Sequence, residues 1–107
     1  MSSYSGNRAA RFARIAASGG CKHTTQTVGV TVVTHTCDPK CVAVRFFNLG
    51  SATVFFRGDG TDPTTTAGFP ILTSSDTGWF DCDGSWVVEL ISGTAGQRVE
   101  VMEILDA

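Results

Sequence analysis

Four cysteines and two histidines are the residues of this 107-residue chain best suited to chemistry. Five of the six lie in two short stretches, Cys21-x-His23 and His35-x-Cys37-x3-Cys41. On a strand, positions i and i+2 face the same side, so each Cys-x-His pair presents two donors together. If the two stretches met, they would offer a tetrahedral Cys/His zinc site. The Cys-x2-Cys spacing usual in zinc modules is absent. A Cys37–Cys41 disulfide across Asp38-Pro39-Lys40 fits an oxidising medium equally well. The plainest alternative is two small buried cysteines beside exposed histidines. Whether Cys21, His23, His35, Cys37 and Cys41 bind zinc or form a disulfide stays open at this level. Cys82 precedes a turn and reads as a packing residue.

Asp59 and Asp62 flank Gly60-Thr61 and offer oxygens to a cation, but a calcium loop needs more ligands at fixed positions. Asp-Gly and Asp-Pro are ordinary turn chemistry, and Asp81 and Asp83 read the same way. There is no GxSxG, HExxH or phosphate loop. A Cys37–His35 dyad rests on residue identity alone. No catalytic residue, metal ligand or cofactor is therefore assigned, and the chain is not read as an enzyme.

The charge pattern points elsewhere. Residues 1–37 carry Arg8, Arg11, Arg14 and Lys22 with no Asp or Glu, a formal +4, whereas the rest of the chain carries a formal −6. The mild total of −2 thus conceals a basic arm on an acidic body. Such a chain can lay its arm on the body of a neighbouring copy. Residues 8–17 have helix-forming Ala and Arg with an apolar edge of Phe12 and Ile15. Ten residues are too few to be helical alone in water, so this segment folds on a partner or stays frayed. Gly19 and Gly20 form a joint, and a stretched arm of twenty residues reaches roughly 65 Å. Three arginines in an acidic chain give a small counterion-release contribution, so nucleic acid is not an expected partner.

From residue 24 onward the pattern is strand and turn. Residues 27–36 are β-branched almost throughout. Residues 42–57 read as a hairpin turning at Asn48-Leu49-Gly50-Ser51. A polar loop spans 58–68, short strands follow at 70–73 and 78–81, and Asp83-Gly84 signals a hairpin turn. The last two strands are 85–91 and 97–105. In the latter, Val99, Val101 and Glu103 share one face. The expected fold is all-β: one sandwich, jelly-roll or immunoglobulin-like, of about seven short strands. It comprises an extended basic arm (1–20) and a sandwich domain (21–107). In the pairs Phe46-Phe47 and Phe55-Phe56, one ring of each must leave the core. Phe47 and Phe56 are taken as the outward members and, with Arg8, Arg11, Phe12, Arg14 and Ile15, as the partner-binding residues.

Residues 45–104 carry RFFNLGSATVFFRGDGTDPTTTAGFPI, a Trp-Phe-Asp turn region, then SWVVELISGTAGQRVEVMEI, with a closing hairpin at a Gly-Thr-Ala tip. This run of about 60 residues resembles small β-sandwich virion proteins of tailed bacteriophages, such as head decoration (cement) proteins. The resemblance implies a non-enzymatic virion protein in many copies, a homo-oligomer whose partners are capsid or other virion proteins. The expected role is stabilising the head through arm and aromatic-face contacts. The alternatives are a tail, neck or fibre component and, from another class, a sandwich module holding carbohydrate on a host surface through Trp79 and Trp86. No apolar run has the length of a membrane span, and the N-terminus lacks an apolar signal region. Synthesis in the host cytoplasm and residence in the virion are expected.

Overall fold

The computed structural model describes residues 20–106. The arm residues Arg8, Arg11, Phe12, Arg14 and Ile15 lie outside the described residues. The elements are β1 (Cys21–Val28), β2 (Val33–Thr36), β3 (Cys41–Asn48), β4 (Val54–Arg57), β5 (Phe69–Ile71), β6 (Ser75–Asp76), β7 (Phe80–Asp81), β8 (Val87–Ser92) and β9 (Gln97–Leu105). They form two antiparallel sheets. The first has the order β1-β9-β3-β6, with β7 also paired to β3; the second has the order β2-β8-β4-β5. The β6 and β7 pieces lie along the same edge of β3. Between them, the Phe46 N–H is taken by the Thr77 hydroxyl (3.1 Å) instead of a backbone carbonyl.

Alternation decides what each strand buries. Val44, Phe46 and Asn48 of β3, with Val99, Val101 and Glu103 of β9, point inward. They meet Val54, Phe56, Ile71, Val88 and Leu90 from the second sheet in one core. The Phe56 ring stacks on Phe46, with centroids 6.0 Å apart, and is edge-on to Phe80 at 5.8 Å. Each buried side chain of this size contributes about 1.5–3 kcal/mol relative to exposure.

Two expectations are corrected here. The first is the 42–57 hairpin: β3 and β4 belong to different sheets, so residues 49–53 arch across the core. The Asn48 amide holds this arch by donating to Ala52 O (2.9 Å) and Ile71 O (2.8 Å) while accepting from Gly50 N–H (2.8 Å). The two connections read as hairpins near Asp83-Gly84 and at the Gly-Thr-Ala tip also pass between sheets, and the β-branched stretch 27–36 divides between β1 and β2. The second is Phe56. In β4, Val54 and Phe56 alternate into the core, so Phe55 is the outward ring and Phe56 is unavailable to a partner.

Candidate functional site

At one end of the sandwich the sulfurs of three cysteines converge. Cys37 follows β2, Cys41 opens β3 and Cys82 follows β7. All three are buried, and their sulfur atoms lie within 4.8 Å of one another. A second set shares Cys37: its sulfur, a His35 ring nitrogen and a Glu103 carboxylate oxygen also lie within 4.8 Å of one another.

Local structure explains the convergence. Strict alternation back from Val44 would turn Cys41 outward. A β-bulge between Cys41 and Ala43 shifts the register against β9. Cys41 and Val44 therefore both face the core, since a bulge re-aims the side chains beside it. The turn between Cys37 and Cys41 is closed by Cys41 N–H to Asp38 O (2.8 Å) and by Lys40 N–H to the Asp38 carboxylate (2.9 Å). The Lys40 N–H is the main reason the Asp38 carboxyl titrates below its ordinary value, aided by Lys22 against the opposing effect of burial. Cys82 is presented by the next turn. Gly84, at φ 87°, donates its N–H to Cys41 O (3.0 Å) and accepts from the Cys82 thiol (2.9 Å). The positive φ is the conformation glycine adopts without steric cost.

His35 and Glu103 complete this end. Glu103 is wholly buried on the inward face of β9. It accepts from Asp38 N–H at 2.7 Å and faces His35 Nε2 at 3.0 Å. The other ring nitrogen, Nδ1, faces Gln26 Nε2 at 3.0 Å. The Cys41 thiol donates to Ala43 O at 3.4 Å. Hydrogen bonding to Cys37, then burial, raises the Cys41 thiol above its ordinary range. Burial, then its bond to Cys41, pushes the Cys82 thiol up to about 11.

Two surface grooves are the other features of note. One, about 460 Å³, lies on the outer face of the first sheet and is lined by His23, Arg45, Phe47, Leu49, Glu100 and Met102. Arg45 pairs with Asp76 there and sits 5.5 Å from the Trp79 ring centroid. The other, about 450 Å³, is at the edge of the second sheet and includes Arg57, Asp59, Phe69 and Trp86. Trp86 is edge-on to Phe80 and donates Nε1–H to Gly58 O at 2.8 Å.

Of the residues singled out from sequence, Phe47 lines the first groove and Phe56 lies in the core. Cys21 and His23 are exposed in β1, and Cys21 is not in the thiol cluster. His35 is buried, contrary to the plain reading of exposed histidines. Asp59 spends its oxygens inside its own loop, on Arg57 (2.7 Å) and on the Thr61 hydroxyl (2.6 Å) and N–H (3.1 Å). Cys82 and Glu103 were not identified as members of a site. For Glu103, the signal was a carboxylate sharing a strand face with Val99 and Val101.

No family model and no curated protein matches the chain. Among solved structures it is similar to a protein of the Bacillus endospore appendages, which form a family of disulfide-linked pili. The identity is 13%, the TM-score is 0.43, and the match covers 81% of this chain and 86% of the other.

Proposed function

We propose that the chain is a non-enzymatic building block of a larger protein assembly, a tailed-phage virion protein that decorates and stabilises the head. The observation that carries the assembly reading is the groove on the first sheet. An outer sheet face in water is ordinarily polar. Here Phe47, Leu49 and Met102 lie together, flanked by Arg45 and Glu100. An apolar centre with a charged rim is the anatomy of a contact surface. Val87 on the outer face of β8 and Leu72 beyond β5 add apolar exposure elsewhere. The phage assignment rests on the sequence resemblance. The winding supports a jelly-roll reading, because most consecutive strands change sheets. The burial of Cys37, His35 and Glu103 supports a non-catalytic role, since a nucleophile must meet its substrate.

The carbohydrate alternative has the groove beside Phe69 and Trp86 in its favour. Against it, Trp79 and Trp86 lie in separate places, one beside Arg45 and one against Phe80. The test is solution mass by light scattering for the full chain, the chain lacking residues 1–20, and Phe47→Ser. A discrete oligomer that dissociates in Phe47→Ser is expected. The assembly reading through this face fails if the full chain is monomeric at high concentration and neither change alters its co-sedimentation with empty phage heads.

A further inference from the structure

We propose that Cys37, Cys41 and Cys82 bind one zinc ion as thiolates, with the Glu103 carboxylate as fourth donor and His35 as the residue that positions it. Tetrahedral zinc with Zn–S bonds of about 2.3 Å sets its sulfurs roughly 3.8 Å apart. Three sulfurs within 4.8 Å of one another need only small side-chain rotations to meet that demand. A disulfide would use two of the three and leave the third unpaired.

The fourth donor follows from counting lone pairs. Both His35 ring nitrogens already face partners, Gln26 and Glu103. Glu103 accepts one bond on each oxygen, from Asp38 N–H and His35 Nε2, and an ionised carboxylate has about four acceptor sites. It therefore keeps capacity for a cation. Its oxygen lies within 4.8 Å of the Cys37 sulfur but not in one such set with Cys41 and Cys82, so to serve as fourth donor the carboxylate turns toward the thiols on binding. His35 then acts as the outer partner that fixes a ligand's orientation. On binding, the three thiols release three protons to solvent, and nothing is oxidised or reduced.

Four protein donors in a buried position make a closed, structural site. Its consequence is mechanical. The ion ties the turn after β2, the start of β3, the turn after β7 and the inward face of β9 to one point. It thereby joins both sheets at the end where the turns lie. This proposal is independent of the assembly reading.

The test uses the full chain purified under reductant, with metal content measured by elemental analysis. One zinc per chain is expected. After chelation, titration with cobalt(II) should produce an intense sulfur-to-cobalt charge-transfer band that saturates at one ion per chain. Cys41→Ser and Cys82→Ser should weaken or abolish the band, and Cys21→Ser should leave it intact. Glu103→Gln should keep the band but lose the ion to a competing chelator more readily, and His35→Ala, which removes the outer partner, should do so by about 10–100-fold. The wild-type chain carries the decisive readout, so a variant that fails to fold does not protect the proposal. Reduced, folded wild type with no zinc and no charge-transfer band overturns it, as does a Cys37–Cys41 disulfide that persists under reductant.

Discussion

The two ends of the sandwich solve the same problem with different chemistry. At both, polar side chains are buried where strands turn from one sheet to the other. At the end away from the cysteines the solution is amide and hydroxyl groups. Asn48 satisfies Gly50, Ala52 and Ile71. Gln97 accepts from Ala52 N–H (2.8 Å) and donates to Ala95 O (3.0 Å). Ser92 donates to Thr53 O (2.9 Å) and accepts from Thr94 N–H (3.2 Å). Every arm of that network has a backbone partner within the chain, so it needs nothing from outside. At the other end, thiols donate weakly to nearby carbonyls and a carboxylate retains acceptor capacity. That end is complete as protein but richer in donor atoms than its own hydrogen bonds require. If the proposed zinc binds, the difference separates an end held by its own hydrogen bonds from one whose stability responds to the medium.

The largest expected effect is that of Asn48→Ala. It leaves the Gly50 N–H and the Ala52 and Ile71 carbonyls without their partner, at about 1–3 kcal/mol for each buried group left unsatisfied. Water entering the opened arch recovers some of this, and a net loss of about 3 kcal/mol is expected, a large fraction of the stability of a small domain. Urea denaturation in zinc and in chelator should give the same loss in both, because Asn48 bonds to Gly50, Ala52 and Ile71 and to no residue of the thiol cluster. A loss that depends on zinc would mean the two ends are coupled.

The next effect in size belongs to the other end. If zinc binds only the folded chain, free zinc at 100 times its dissociation constant stabilises the fold by about 2.7 kcal/mol. Thermal melting of the reduced wild type should therefore rise on adding zinc and fall on adding chelator. Cys82→Ser should show a much smaller rise or none, and Asn48→Ala should keep the full zinc-dependent rise. Equal zinc responses in wild type and Cys82→Ser would remove the distinction between the ends.

The strands were legible because alternation is written into the sequence. The inward set Val44, Phe46, Val99 and Val101 follows from period two, and so does the inward place of Glu103. Sheet membership was not legible. A turn that folds a hairpin and an arch that crosses a core use the same residue types, and Asn48 decides between them through bonds to Ile71, 23 positions away. For the same reason the parity of Phe55-Phe56 has no local signature: which ring turns inward depends on the sheet that β4 joins. The thiol cluster was half visible, as Cys37 and Cys41 on one turn with His35 beside them. Cys82 enters it only through the pairing of β7 with β3, and Cys41 faces it only because of the bulge, neither of which has a local signature.

The smallest expected effect concerns acid, and it tests whether both ends stand apart from surface titration. Glu100 sits on the outer face of the first sheet. Its carboxyl is held below its ordinary value of 4.5, first by the Thr25 hydroxyl at 2.7 Å and then by Arg98 at 2.8 Å. A carboxyl lowered in the folded state binds fewer protons there than in the unfolded chain. Its contribution is therefore present above the unfolded value and lost as pH falls through the folded one. Glu100→Gln should flatten the fall in urea midpoint between about pH 6 and about pH 3. Asn48→Ala should lower the midpoint at both pH values and leave the slope as in wild type, because Asn48, Ser92 and Gln97 do not titrate. A slope altered by Asn48→Ala and untouched by Glu100→Gln would place the acid-sensitive contact at the arch, and the contrast between the ends would need another basis.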